Sequence, residues 1–245
     1  MGSKFSIITP SLNQGRFIRD TIESVLSQNY LNFEHIIIDG GSNDDTINIL
    51  KEYSHLKWIS EKDNGPSNAI NKGFKMASGD IFNWLNSDDY YDKNVFQTVD
   101  KFFSENNTVN LLFGNLTIVD IKGKVLFKDK THKITKNYLV NISADVVRQP
   151  CSFFTSDLFK KVGGLDEDLS LVFDYDLFLR MLDFTKSDYI NMNLAFYREY
   201  PATLTRKNIS KQAKEIFKVS RKHGGNIISK LNYTNMKKIL FPSKY

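Results

Sequence analysis

Cysteine and histidine are scarce in this sequence, and their scarcity narrows the kinds of protein it can encode. The 245 residues contain a single cysteine, Cys151, which cannot form an internal disulfide and so excludes a disulfide-bonded scaffold. The four histidines are scattered without the spacing of metal ligands. We therefore expect structural or solvated histidines and no zinc site built from them.

Long apolar runs are missing as well. No stretch is apolar enough over a sufficient length to cross a bilayer, and no apolar leader with a cleavage site precedes the first strand-like run, Phe5 to Ile8. These absences, together with the lone thiol, predict a protein that does not cross a membrane and works in the cytoplasm.

Acidic residues are nearly absent from the end of the chain. Residues 206–245 hold 11 of the 33 Lys and Arg and only one acid, Glu215, whereas residues 1–205 hold 22 basic and 27 acidic residues. A basic tail of this kind suits either an anionic membrane surface or the solvated face of helices packed on the core. No nucleic-acid-binding motif accompanies it, so we expect no nucleic-acid partner.

Short β-rich runs alternate with helical patterns in the first half of the chain. Strands are predicted over residues 5–8, 35–39, 57–60 and 81–85. Helices are predicted around residues 18–26, after a cap at Ser42, and over 67–76 with Gly79 ending the last of them. This order predicts βαβ units and a largely parallel, nucleotide-binding type of α/β sheet.

The second half follows a different pattern. Residues 111–120 and 125–127, separated around Gly123, are predicted to be antiparallel strands, and residues 175–182 a helix. Apolar residues spaced among lysines beyond Lys207 predict one or two basic amphipathic helices after the core. The sheet is therefore expected to be mixed.

Polar residues follow three of the predicted strands. The first strand is followed by residues 9–13, the second by Asp39-Gly40-Gly41-Ser42, and the fourth by Asn86-Ser87-Asp88-Asp89. In an open parallel sheet these ends meet at one crevice, where ligands bind. Adjacent carboxylates such as Asp88 and Asp89 suit a hard divalent cation, Mg²⁺ or Mn²⁺, although a solvated pair capping the next helix is the alternative.

Other candidate segments are individually ambiguous. Asp39 and the two glycines after it could approach a nucleotide, but no dinucleotide-binding glycine motif and no P-loop is present, which excludes dinucleotide oxidoreductases and P-loop kinases. Asp174 and Asp176 stand in the first turn of a predicted helix, where acids often only complement the helix dipole.

Taken in order, these segments resemble glycosyltransferase family 2. The resemblance runs over about residues 4–205 through motifs at 9–13, 39–44, 71–73, 77–80, 85–89, 149–150, 163–166 and 174–177. It implies a GT-A type, Rossmann-like mixed and mainly parallel sheet flanked by helices, in an inverting transferase that uses a nucleotide diphosphate sugar. It further implies a donor-binding half, 4–100, an acceptor-binding half, 101–205, and a basic helical extension, 206–245.

The resemblance also assigns roles to individual residues. The catalytic base is expected at Asp174, and the metal ligands at Asp88 and Asp89, with the metal being Mn²⁺ or Mg²⁺. The contacts to the nucleotide sugar are expected at Thr9, Pro10, Ser11, Asn13, Asp39, Asp63, Lys72 and Asp88. The acceptor is expected to contact Gln149, Pro150 and Asp176, the last of which is alternatively a structural residue.

Some positions depart from the family pattern. Asn86 stands where many relatives have an acid, Phe173 where Glu is frequent, Asn68 where Asp is common, and Tyr200 where many relatives have a histidine. The departures keep open a second hypothesis, a non-catalytic nucleotide-sugar-binding or scaffold protein. A nucleotidyltransferase is disfavoured because residues 9–15 hold one glycine and no lysine.

The expected partners follow from the first hypothesis. The donor is expected to be a UDP-sugar, with dTDP or GDP as alternatives, and the acceptor a glycan or lipid-linked saccharide of a bacterial-type surface polysaccharide or glycolipid. The basic tail would then contact anionic lipid at the cytoplasmic face of the membrane.

Overall fold

A computed structural model describes residues 2–144, 146, 148–201, 203 and 208–240. The strands are β1 Phe5–Ser11, β2 Phe33–Asp39, β3 Lys57–Ser60, β4 Ile81–Trp84, β5 Tyr90–Tyr91, β6 Leu111–Val119, β7 Val125–Asp129, β8 Ser152–Thr155 and β9 Ser187–Arg198. The helices are α1 Ile18–Leu26, α2 Thr46–Lys51, α3 Pro66–Met76, α4 Val95–Glu105, α5 Lys136–Asn141, α6 Ser156–Val162, α7 Phe173–Met181, α8 Ile209–Lys222 and α9 Lys230–Leu240. Over these residues, no helix has the length and apolar character needed to span a bilayer.

The N-terminal half forms the parallel part of one sheet. The strands β3, β2, β1 and β4 are neighbours in that order, and each pair is parallel. In register, Ser11 at the end of β1 lies opposite Asp39 at the end of β2, and Ile8 lies opposite Trp84 at the end of β4. The carboxyl ends of these strands therefore meet at one edge, where a ligand site is expected.

The second half extends the sheet with mostly antiparallel strands. β8 pairs antiparallel with both β4 and β6, β9 runs parallel to β6, and β5 closes the order by pairing antiparallel with β9. β7 pairs antiparallel with β6, as predicted around Gly123. The predicted α/β class with a mixed sheet is confirmed.

Alternate residues of the strands divide between two large apolar clusters. Ile8 and Phe82 belong to one cluster, and their neighbours Ile7 and Ile81 to the other. Successive side chains of a strand point to opposite faces, so the sheet lies between these two layers of core. This burial on both faces explains the continuous apolar runs of the parallel strands.

The helix α3 lies very close to the sheet. A Cβ atom added at Gly73 would lie 2.3 Å from Cγ2 of Ile8 in β1. Gly79 has a related role, because a Cβ there would lie 2.6 Å from the carbonyl oxygen of Lys4. The predicted end of α3 at Met76 is confirmed, but Ala77 and not Gly79 is the residue that follows it, and the glycine instead lets the chain approach β1 before β4 begins.

The second predicted helix also begins elsewhere. Ser42 does not cap it, since α2 begins at Thr46. The Ser42 hydroxyl instead donates to Asp39 over 2.5 Å and accepts from the Asn13 amide over 2.7 Å. It therefore joins the loops that follow β1 and β2.

The two C-terminal helices, predicted as a basic extension, are part of the main core. Ile216 and Val219 of α8 and Leu231 of α9 belong to the same apolar cluster as Tyr175 and Phe178 of α7. The predicted boundary at residue 205 lies outside the described residues. Over residues 208–240, α8 and α9 both contribute side chains to this apolar cluster.

Candidate functional site

The acidic pair after β4 lies at the edge where the parallel strands end. Asp89 is fully buried, and its carboxylate accepts the backbone N–H of Arg198 over 3.0 Å and the Asn86 amide over 3.4 Å. Asp88 is half-buried and accepts the Tyr200 hydroxyl over 2.8 Å. The alternative of a solvated pair capping a helix is therefore wrong for Asp89.

Asn86 compensates for the buried acid. Its amide points at the Asp89 carboxylate, where an acidic residue would add a third negative charge to the loop. The departure at Asn86 from the family pattern thus has a local physical reason. This reason could not be predicted from the sequence, because the direction of the Asp89 side chain depends on the fold.

Arg198, at the end of β9, supplies the positive charge nearest this pair. Its guanidinium donates to the carbonyl oxygen of Asp88 over 2.9 Å and forms an ion pair with Asp20 in α1. The guanidinium carbon also lies 4.8 Å from the ring centroid of Tyr90. These contacts connect β9 with α1, the acidic loop and β5.

The surroundings of Asp88 and Asp89 do not fully stabilise the two carboxylates in their ionised form. Burial raises the pKa of Asp88, against the opposing effects of the Tyr200 hydrogen bond and the Arg198 charge. Burial and the neighbouring Asp88 charge raise the pKa of Asp89 well above its usual range. A cation bound here would stabilise the ionised pair.

We tested whether these residues suit a divalent metal. Among the described residues no cluster of three or more His, Cys, Asp or Glu could enclose an ion. Mg²⁺ and Mn²⁺, however, bind through one or two carboxylates together with water and phosphate oxygens. The half-buried Asp88 suits that role better than the fully buried Asp89, whose two carboxylate oxygens each accept a hydrogen bond from the protein.

The end of β1 offers fewer side-chain groups to a ligand than predicted. Thr9 is fully buried, with its hydroxyl oxygen 2.9 Å from Nε2 of His35, so that hydroxyl is not available at the edge. Ser11 is 5 % exposed, and its hydroxyl has no hydrogen-bond partner in the described part of the chain. An unpaired buried hydroxyl at the end of β1 is suited to a bound ligand.

Pro10 lies within β1, where it is half-buried and pairs in register with Ile38, and Asn13 lies in the loop that follows the strand. Asn13 has a left-handed backbone, with φ 54°, and its side chain accepts the Asn43 amide over 2.9 Å. Asn13 thus shapes the crevice by joining two loops.

Asp39 is fully buried at the end of β2. It accepts the amides of Gly41 and Ser42 over 3.0 and 2.9 Å and the hydroxyl of Ser60 over 2.7 Å. Asp63 lies across Gly40, since a Cβ at that glycine would be 2.7 Å from its Oδ2. Gly40 therefore lets two predicted nucleotide-binding acids converge at this edge.

Lys72 lies on α3 near the same strand ends. Its ammonium group is 2.6 Å from the carboxylate of Glu61, which follows β3. A diphosphate would have to compete with Glu61 for this charge. Glu61 was not among the predicted residues, since the loop after β3 shows no motif.

The predicted base, Asp174, is the second residue of α7. The ring of Phe173, the residue before it, has its centroid 6.4 Å from that of Trp84, the last residue of β4. The half-buried Asp174 also accepts the Tyr175 amide over 2.8 Å. The first turn of α7 therefore lies near the end of β4, from which the acidic loop continues.

Two predicted acceptor contacts are buried against β4. The Gln149 amide donates to the carbonyl oxygen of Trp84, and the carbonyl oxygen of Pro150 accepts from Asn83 over 3.3 Å. Their polar groups are used within the protein. The structure places them beneath the end of β4 and not on an open surface.

Asp176 does not face an open site, which corrects its predicted acceptor contact. It is fully buried, with its carboxylate 2.7 Å from Arg180, 3.0 Å from His223 and 3.1 Å from Lys222. Burial alone would raise the pKa of Asp176, but the hydrogen bonds from His223 and Arg180 hold it well below its usual range. The structural alternative for this residue agrees with these contacts.

The sequence matches a known family over most of the sheet. Residues 6–163 fit the family model described as glycosyl transferase family 2. The chain belongs to this family. An uncharacterised glycosyltransferase of Rickettsia typhi is 30% identical over 184 residues, which cover 72% of this chain and 58% of that protein. This chain thus spans less than two thirds of that relative's length.

Solved glycosyltransferases share the fold. Residues 1–349 of S. aureus TarS, crystallised with UDP-GlcNAc, match with a TM-score of 0.72 and 17% identity, over 96% of this chain and 70% of that one. The mannosyltransferase PcManGT of Pyrobaculum calidifontis, in complex with GDP-Man and Mn²⁺, matches with a TM-score of 0.70 and 12% identity, over 98% and 71%. The family 2 chain therefore has the predicted GT-A type fold.

Proposed function

We propose that this family 2 chain is an inverting, metal-dependent glycosyltransferase that moves a sugar from a UDP-sugar to an acceptor hydroxyl. The observation that carries the proposal is the meeting, at one sheet edge, of the charged Asp88 loop, the unpaired Ser11 hydroxyl and the start of α7 with Asp174. A donor-binding crevice next to a candidate base is what direct transfer requires.

The donor would lie along the ends of β1, β2 and β4. Ser11 and Asp63 are the predicted contacts best placed for the nucleoside, with Asp39 holding the loop around Gly40 and Gly41. Asp88 would hold a Mn²⁺ or Mg²⁺ ion, which would neutralise the leaving diphosphate. The TarS complex supports a uridine nucleotide, and the PcManGT complex supports the metal.

The acceptor would approach from the side of α7. Asp174 would take the proton from the attacking hydroxyl as the bond to the anomeric carbon forms opposite the diphosphate, which inverts that centre. The hydroxyl proton passes to the carboxylate, and the electron pair of the broken bond leaves with the nucleotide diphosphate. Asp174 thus has one specific proton to accept.

Nucleotide release tests the proposal. The protein is incubated with UDP-, dTDP- or GDP-sugars, an acceptor panel, and Mn²⁺, Mg²⁺ or EDTA, and the free diphosphate is measured. We expect metal-dependent UDP release that falls by about 10²-fold or more in Asp174→Asn, given the typical contribution of a general base. The exposed Asp168 nearby provides the matched control, and Asp168→Asn should keep activity.

The non-catalytic hypothesis predicts a different result. In that case, UDP-sugar would bind in the presence of metal with no diphosphate release for any acceptor. Asp174→Asn would then leave binding unchanged, and the same assay therefore separates the two hypotheses.

We also propose that the C-terminal helices contact an anionic membrane, as suits a lipid-linked or surface-glycan acceptor. The buried face of α9 carries Leu231, Asn232 and Asn235, while Tyr233, Met236 and Leu240 are exposed apolar residues of the same helix. Ile227 and Ile228 lie exposed just before the helix begins. Lys230 and Lys237 lie exposed among them, a combination typical of interfacial helices.

Sedimentation with vesicles tests this contact. The protein should sediment with vesicles that contain phosphatidylserine at low salt and stay in solution with neutral phosphatidylcholine vesicles. The double variant Ile228→Ser/Met236→Ser should lose this binding, whereas Leu31→Ser, at an exposed apolar residue outside the C-terminal helices, should keep it. Equal sedimentation of both variants would contradict the assignment of the face.

A further inference from the structure

The segment that leads into α7 is held by α8. Residues 163–172 connect α6 to α7, whose second residue is Asp174. On α8, Lys211, Glu215 and Lys222 are spaced by four and seven residues, which places them on one side of the helix. All three side chains contact the connecting segment or α7.

Glu215 makes the contact nearest the start of α7. Its two carboxylate oxygens accept the backbone amides of Ser170, over 3.4 Å, and Leu171, over 2.9 Å. Lys211, one turn earlier, donates to the Ser170 hydroxyl over 2.9 Å. These amides lie three and four residues before Asp174, so Glu215 fixes the path of the chain into the helix.

The end of α8 holds α7 itself. Lys222 and His223 lie 3.1 and 3.0 Å from the buried carboxylate of Asp176, and Lys222 is also 3.6 Å from Asp166 in the connecting segment. The apolar face of α8 packs into the same core cluster as Tyr175 of α7. The helix with the candidate base is therefore attached to α8 at both its entry and its first turn.

The opposite side of the connecting segment is attached to the donor half. Asn71 of α3 exchanges two hydrogen bonds with the backbone of Leu165, and both Asn68 and Asn71 donate to Glu167 over 2.8 Å. Asn68, a departure from the family pattern, thus has a partner suited to an amide, because Asp there would repel Glu167. The segment is fixed between α3 on one side and α8 on the other.

We propose that α8 positions Asp174 for proton transfer, with Glu215 as the main positioning residue. This inference rests on the proposed function, in which Asp174 is the base. Glu215 does not touch the substrate in this proposal. It sets the direction from which the first turn of α7 presents Asp174 to the acceptor hydroxyl.

Kinetics of Glu215 variants test the proposal. Glu215→Ala removes both acceptors of the Ser170 and Leu171 amides, so kcat should fall by about 10-fold or more, since a displacement of about 1 Å can cost up to about 10²-fold. KM for the UDP-sugar and the Kd of UDP with Mn²⁺ should stay within about twofold, because the donor edge is untouched. Glu215→Gln, which keeps one acceptor oxygen, should recover most of kcat.

Lys218→Ala, an exposed position on the same helix, is the matched control and should behave as the wild type. A folded Glu215→Ala protein with unchanged kcat, or with kcat and donor affinity lost together, would overturn the proposal. Equal loss in Ala and Gln variants would also count against it.

Hydrogen exchange gives a readout that does not depend on catalysis. Amides of residues 170–175 should exchange faster in Glu215→Ala than in the wild type, while those of β1 and β4 stay unchanged. If the wild type shows no transfer but this local increase is seen, the proposed function fails and the positioning contact stands. Unchanged exchange at these amides would reject the contact itself.

Discussion

Arg198 is the residue on which the acidic site depends most for its charge balance. Its side chain is 7% exposed and lies beside one fully buried carboxylate, Asp89, and one half-buried carboxylate, Asp88. Arg198→Met keeps much of the volume but leaves both acids without this positive charge. We expect a loss of about 3 kcal/mol in the free energy of unfolding at pH 7.5, as for other broken buried pairs.

This loss of stability should depend on pH, and the raised pKa values of the two acids give the direction of that dependence. An acid whose folded pKa is raised binds more protons folded than unfolded, so its folded state becomes less stable as pH rises through that range. Removing Arg198 raises the pKa of Asp88 and Asp89 further. The deficit of the variant in urea denaturation should therefore shrink between pH 7.5 and 5.5, and a constant deficit would contradict this account.

At His35, the free energy of unfolding should depend on pH in the opposite direction. Burial, together with repulsion from His55, lowers the pKa of His35 to about 3. The unfolded chain binds a proton near pH 6.5 and the folded chain does not, so stability falls as pH drops from 6.5 towards 3. At pH 5 the loss from this residue should be about 2 kcal/mol.

The comparison with His35→Gln isolates this effect, because glutamine keeps an amide near Thr9 and does not titrate. In urea denaturation the difference between variant and wild type should move in favour of the variant by about 2 kcal/mol from pH 7.5 to 5. Parallel pH profiles would show that folding does not lower the pKa of His35.

At the scale of elements, the close contact of α3 with the sheet restricts which residues α3 can carry. Gly73→Ala adds a methyl group 2.3 Å from Ile8 and 3.3 Å from Ile38, on the two strands whose ends form the site. Overpacking of this kind costs about 1–3 kcal/mol, more than the gain of about 1 kcal/mol from better helix propensity. We therefore expect a lower urea midpoint than for Lys75→Ala, an exposed control on α3.

The sequence predicted those elements whose pattern is local. β3 has the predicted bounds, Lys57–Ser60, because an apolar run between polar segments defines it. β5, with two residues, was not predicted, because its strand character comes from pairing with β9, about 100 residues away. The order of strands in the second half depends on such distant pairs, which no local pattern contains.

At the candidate site too, local motifs could be predicted from the sequence, whereas contacts between distant residues could not. The strand-end motifs predicted which loops meet, and the structure brings Ser11, Asp39 and the Asp88 loop to one edge. The motifs did not predict that Asp89 turns inward, that Tyr200 donates to Asp88, or that Glu61 pairs with Lys72. Each of these depends on side-chain direction across elements that are distant in sequence.

At the scale of the whole molecule, α8 and α9 contribute side chains to the main core, from which we predict that they cannot be removed as a tail. A fragment that ends at residue 207 would lose Ile216, Val219 and Leu231 from that core and expose the α7 residues they cover. At about 1.5–3 kcal/mol for each fully buried aliphatic side chain, the loss is about 5–9 kcal/mol. That is comparable to the whole stability of a typical domain, about 5–15 kcal/mol.

We therefore expect the fragment 1–207 to lose cooperative unfolding and near-ultraviolet circular dichroism, while a chain that ends at residue 240 keeps both. The comparison distinguishes a structural part of the core from an appended basic segment, because a segment of the second kind could be removed without changing the urea midpoint. A fragment 1–207 that unfolds with the midpoint of the full chain would show that residues 4–205 fold alone. In that case α8 could be absent without displacing α7, and the positioning of Asp174 by Glu215 would lose its structural basis.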